Sequence, residues 1–202
     1  MKCDVCQTHQ TGLAWVSSPS GSYVVCSDCA RPLQAEVHDL IARLARCDSH
    51  YALLDELLSA AMDVTGSDMG NVQLADENRV LRIRVQAGFE REFLDFFSGV
   101  EENEAACGTA AADRRTVVVP DVELSPIFIG TPALTILRNA DVRAVQSTPL
   151  IDRNGTVFGM LSTHFRTPHQ PTEHELHLID VFARLLADVH RTRVEASAQR
   201  GT

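Results

Sequence analysis

Along the chain, the spacing of apolar positions changes character several times. Two short apolar runs, 13–16 and 23–25, flank the turn-rich Ser17-Ser18-Pro19-Ser20-Gly21, a pattern that predicts a β-hairpin. From 31 to 62 the period becomes helical. Leu33, Val37, Leu40, Leu44, Cys47, Tyr51, Leu54, Leu58 and Ala61 recur in alternating steps of four and three. A seam this long suits either a parallel coiled-coil dimer or a helix lying along its own domain. Its weakest positions are Cys47 and Tyr51, and Asp48 and Ser49 there can cap a new helix, so two helices with a joint near Cys47 are expected.

Strand patterns follow. Segments 71–74 and 80–85 predict two strands joined by a turn at 76–79; in the second, Leu81, Ile83 and Val85 alternate with Arg82, Arg84 and Gln86, which marks one exposed face. Short helices are expected at 90–98 and 106–112, and a short strand at 116–119 ended by Pro120. The long connection 121–141 contains a helix from Pro132 to Asn139, with proline at its start. Segments 142–151 and 156–166 predict a second hairpin around Asn154-Gly155. Thr172 and Glu175 form a capping box for a last helix to about Glu195, with Leu176, Ile179, Phe182, Leu186 and Val189 on one face. This order of elements predicts an α+β domain with one antiparallel sheet.

The chain has 202 residues, 45% hydrophobic and 22% charged, as in a globular protein with a real core. Its net charge of -9 argues against nucleic-acid binding, and the first thirty residues hold only Lys2 as a strong base. No apolar run is long enough to span a membrane and the start does not resemble a signal peptide, so a cytoplasmic location without membrane contact is expected.

Cysteine spacing adds a metal. Cys3 and Cys6 form one Cys-x-x-Cys pair and Cys26 and Cys29 another, 19 residues intervening between Cys6 and Cys26. Two such turns can complete a thiolate tetrahedron around zinc. With all four positions filled by cysteine the site is closed, hence structural rather than catalytic. Disulfides are the competing reading, disfavoured in a reducing compartment. The expected layout is a zinc ribbon over 1–30, a connecting helix over 31–50, a larger domain over 51–195 and a disordered tail over 196–202.

The larger domain resembles a GAF domain, the small-molecule sensor fold related to PAS domains. The segments that carry the resemblance are 65–74, Ala106-Cys107-Gly108-Thr109-Ala110, Val118-Val119-Pro120-Asp121-Val122, 143–150 and 159–165. It covers about 70% of the chain and is closest in flavour to GAF domains of bacterial sensor kinases. The resemblance implies a sheet of six or so antiparallel strands, with terminal helices on one face and a ligand pocket under long loops on the other. It also implies helices that pair across a homodimer and pass a signal to a partner protein. A zinc ribbon is not a usual part of that fold. Bilin-binding members attach chromophore through a Cys-His pair, which is missing here, and the nucleotide signature of the phosphodiesterase members is missing too.

Within this frame the candidate ligand-pocket residues are Cys107, Phe128, Ile129, Gln146 and His164, around an unidentified small molecule. Cys107 also lies in a setting similar to one cysteine segment of the free methionine-(R)-sulfoxide reductases, which are GAF-fold enzymes. Such chemistry needs an attacking thiolate and a resolving thiol, and 124–145 contains no cysteine. The leading expectation is therefore a non-enzymatic regulatory protein. The alternatives are a thiol-dependent reductase using Cys107, or a ligand-free interaction scaffold whose pocket is filled by side chains. Phe128 and Ile129 lie in the segment 121–139, the expected lid. His169, His174 and His177 cluster near the last helix and read as a solvated face.

Overall fold

In a computed structural model, the backbone is described for residues 13–18, 21–101 and 104–200, and side chains for the part of these between 35 and 190. The strands β1 (Leu13–Ser18) and β2 (Gly21–Cys26) form the expected hairpin, paired from Leu13↔Cys26 to Ser18↔Gly21. The helix α1 (Ser27–Leu44) follows without a break.

The helical seam divides near the expected joint. The second helix, α2 (His50–Thr65), begins where Ser49 Oγ accepts the Ala52 N–H at 3.1 Å, and it ends at Gly66 in the left-handed conformation. Leu40, Leu44, Leu54, Leu58 and Ala61 of the seam are all buried in the chain's own core. Tyr51 is 64% exposed and has left the seam. The capped break rotates the second half of the pattern, so the leucines pack within the domain.

Five strands form the main sheet: β3 (Met69–Ala75), β4 (Leu81–Ala87), β5 (Val117–Val119), β6 (Ala144–Ile151) and β7 (Val157–Phe165). Their order is β4-β3-β7-β6-β5 and every pairing is antiparallel. A sixth strand does not form among the described residues; an isolated bridge between Leu81 and Val100 occupies the edge beyond β4. Side-chain chemistry fixes the turns. Asp76 Oδ1 accepts the N–H groups of Asn78 and Val80 between β3 and β4. Asp152 Oδ1 does the same for Asn154 and Thr156 between β6 and β7. Only Gly155 of the Asn-Gly pair has positive φ, so the connection is a longer loop than the two-residue turn.

Alternation along the strands splits the interior into two cores. On one face Val72, Val85, Leu150 and Leu161 meet α1, α2 and the last helix, α6 (Glu173–Arg200), through Leu53, Leu57, Leu178, Phe182 and Leu186. The capping box is present: Thr172 Oγ1 accepts the Glu175 N–H, and Glu175 Oε2 accepts the Thr172 N–H. The helix continues past the expected end near Glu195 to Arg200. On the other face Met69, Val145 and Met160 meet α3 (Arg91–Phe96), α4 (Ala105–Asp113), the 120–131 loop and α5 (Pro132–Asn139).

Candidate functional site

The second face contains the site. Period-2 alternation brings Asn71 and Gln73 of β3, Val145 and Ser147 of β6, and Ser162 and His164 of β7 onto one polar floor. The register places Ser147 opposite Ser162 and Val145 opposite His164, and the two serine hydroxyls lie 2.9 Å apart. The roof is apolar: Phe93 from α3 and Phe97 directly after it, Ala105, Ala106 and Cys107 from the start of α4, Phe128 from the loop and Leu137 from α5. Between floor and roof is a cavity of about 20 Å³, room for about one water molecule.

This cavity is polar and unsatisfied. Asn71 is 4% exposed, Gln73 2% and His164 5%. Asn71 Oδ1, Gln73 Oε1 and His164 Nδ1 each lack a hydrogen-bond partner in the protein. Edges and faces of Phe89 and Phe93 meet the imidazole at right angles, with centroids 4.9 and 5.8 Å away. Burial therefore lowers the His164 pKa to about 3, keeping the ring neutral. Burial likewise pushes the Cys107 thiol up to about 11, although hydrogen bonds from Gly108 and the Gln73 side chain act the other way. A thiol held so far above neutrality is a poor nucleophile.

Of the sequence candidates, the fold brings Cys107, Phe128 and His164 together around the cavity. Ile129 is next to Phe128 in the loop but is 56% exposed. Gln146 is buried, yet it lies between Val145 and Ser147 in β6 and so points to the opposite, helical face of the sheet. The expected zinc ligands Cys3 and Cys6 lie outside the described residues, as do the side chains of Cys26 and Cys29, the other two residues of that expected site. No metal-binding group is found among the described residues. The loop expected to act as a lid is fastened: Arg138 reaches Glu123 at 2.7 and 2.5 Å, and Arg143 reaches Asp121 at 2.9 Å.

Asn71, Gln73, Ser147 and Ser162 were not anticipated as site residues. The signal in β3 is faint: Asn71 and Gln73 are polar residues at alternate positions of an otherwise apolar strand, while Ser147 and Ser162 sit within the polar runs Gln146-Ser147-Thr148 and Ser162-Thr163-His164.

The model of the GAF domain family matches residues 49–189. The chain belongs to the GAF domain family. No curated protein sequence matches it closely enough to add a relative. Solved structures share the fold. The GAF domain of a phosphoenolpyruvate-protein phosphotransferase from Coxiella burnetii superposes with TM-score 0.70 at 15% identity, covering 83% of this chain and 98% of that one. A domain from Sinorhizobium meliloti, described as from a two-component sensor histidine kinase, gives 0.63 at 18%, with 76% and 99% covered. The free methionine-R-sulfoxide reductase of Neisseria meningitidis, solved with its substrate, gives 0.65 at 20%, with 95% and 99% covered. At these identities the GAF fold is what is shared.

Proposed function

We propose that this chain is a regulatory module whose GAF domain senses a small molecule in the cavity between the sheet and α3, α4 and α5. The observation that carries this reading is the set of buried polar atoms left without partners around it. Each such atom costs about 1–3 kcal/mol while unpaired. Three such atoms, Asn71 Oδ1, Gln73 Oε1 and His164 Nδ1, converge on this one cavity, where a bound molecule would supply their partners. Ligand binding would shift the population of arrangements of the terminal helices, through the sheet on which both cores rest. The signalling proteins among the structural neighbours support a sensory role.

The N-terminal part completes the reading: a ribbon over 1–30 holding one structural zinc through Cys3, Cys6, Cys26 and Cys29. Cys26 closes β2 and Cys29 falls in the first turn of α1, where the positive helix end favours thiolate. A four-thiolate site suits zinc and supplies structural stability rather than an open coordination position. The protein would act as a homodimer on a cytoplasmic partner, with exposed Ile41 and Tyr51 on α1 and α2 among the side chains covered.

Native mass spectrometry of the chain as purified tests both parts. A dimer carrying one zinc per chain and a further small mass is the expected result. Chains without zinc and unable to take it up would remove the ribbon. A pocket that takes up nothing from a metabolite extract would remove the sensor reading. A thiol-dependent reductase using Cys107 is the alternative; the buried, strongly protonated thiol weighs against it.

A further inference from the structure

The cavity's chemistry restricts its occupant more tightly than the sensor reading requires. None of the residues lining it carries a full charge: the floor is amide, hydroxyl and imidazole beside Val145, and the roof is aromatic and aliphatic with one thiol. A cation brought here would lose its hydration and find no counter-charge, and an anion would find only the partial positive charge at the start of α4, not a full one. The unpartnered floor atoms have a definite polarity. The Gln73 side chain lines the cavity together with the Cys107 thiol, and its Oε1 is a buried acceptor without a donor. Asn71 Oδ1 is a second such acceptor on the same strand, two residues away on the same face. On the roof, Ala105, Ala106 and Cys107 are the first residues of the nine-residue α4, and they line the same cavity. The first N–H groups of a helix have no acceptor within it, and the helix dipole makes that end positive.

We infer that this cavity selects an uncharged molecule with an amide-type edge: N–H groups that donate to Asn71 Oδ1 and Gln73 Oε1, and a carbonyl oxygen that accepts from the start of α4. His164 Nδ1 and the Ser147–Ser162 hydroxyl pair supply the remaining hydrogen bonds of the floor, and Phe93, Phe97 and Phe128 cover a flat, apolar remainder. Primary amides, ureas and lactams share this edge; carboxylates of the same shape do not, because they lack the donors and carry a charge. The cavity of about 20 Å³ holds about one water molecule, so even the smallest of these requires α3 and the Phe128 loop to move outward. This inference rests on the sensor reading of the same site.

Matched pairs of probes test it: acetamide against acetate, and benzamide against benzoate, titrated into the full chain and followed by amide NMR shifts. The amides are expected to move the resonances of Asn71, Gln73, Cys107 and His164 in a saturable way, with the carboxylates at least tenfold weaker. Gln73→Leu, of similar size, is expected to weaken the amide response at least tenfold. The comparison between paired probes needs only the wild-type chain, so it stands if that variant misfolds. Carboxylates that bind the cavity as well as amides would overturn the amide class while leaving the sensor pocket intact. Cavity resonances unmoved by all four probes would overturn the amide class, while a response to a metabolite extract would preserve the pocket.

Discussion

Burial decides the chemistry of individual residues here. His164 stays neutral in the folded protein down to about pH 3, whereas an unfolded chain protonates it below the ordinary imidazole value near 6.5. Between those limits the unfolded state binds the extra proton, so stability rises with pH. The contribution of His164 is complete above about 6.5 and is lost as pH falls toward 3, at up to about 1.4 kcal/mol per pH unit. His177 and His190, both lowered chiefly by burial, act in the same direction. Urea unfolding of the wild type and His164→Gln between pH 4 and 7 measures this. The variant should show the shallower dependence, and identical slopes would mean that His164 is not held neutral. Cys107 gives a parallel expectation. With its pKa at about 11 rather than 9.0, it should alkylate with iodoacetamide about a hundredfold more slowly in the native protein than in urea at neutral pH. Peptide mass analysis reads the two rates, and rapid native labelling would revive the reductase reading. The sequence reveals Cys107, Phe128 and His164 because unusual residues in a familiar setting draw attention. It conceals Asn71 and Gln73, because polar residues in a strand ordinarily face water. Gln146 shows the limit from the other side: its strand is evident, but only the register tells which face it takes.

At the scale of elements, hydrogen-bonding side chains and close approaches set the boundaries. Ser49→Ala removes the oxygen that caps α2 and should cost about 1 kcal/mol. Gly159→Ala should cost more. A β-carbon there would lie 2.4 Å from the Gln73 carbonyl oxygen, inside the β3–β7 pairing where Gly159 faces Leu74. Neither backbone can yield without parting the central strands, so a loss of about 1–3 kcal/mol is expected, as for overpacking elsewhere in proteins. Equilibrium denaturation of the two variants checks the ranking; a Gly159→Ala protein as stable as wild type would mean that the strands are looser than their contacts imply. Most elements were legible in the sequence because their signals are local: the proline that opens α5, the Thr172–Glu175 box, the cap at Ser49. The five-stranded sheet and the inward use of the heptad seam were not. Both depend on which surfaces meet, and a heptad of leucines reads the same whether a second chain or the domain's own sheet covers it.

The whole molecule combines two cores sharing one sheet with a hairpin and helix leading into them. The buried apolar side chains of those cores run, among the described residues, from Leu40 to Ala187, so the GAF domain has its own source of stability. A segment of about thirty residues ahead of it is too short to bury a comparable core and would depend on a staple. The four cysteinyl thiolates of the proposed zinc site would provide one, and metal binding would then be linked to folding of the ribbon alone. Substituting serine for Cys26 and Cys29 together should therefore abolish one equivalent of bound zinc and shift the amide resonances of β1 and β2 toward unfolded values. The signals of β3 to β7 should stay in place, and the thermal transition of the GAF domain should move by no more than a few degrees. Elemental analysis and amide NMR on the same samples separate the outcomes. Zinc retained by the double variant would place the metal elsewhere. Collapse of the sheet signals together with the hairpin would mean that ribbon and GAF domain fold as one cooperative unit, with α1, which reaches from Cys29 to the buried Leu40 and Leu44, as the element that couples them.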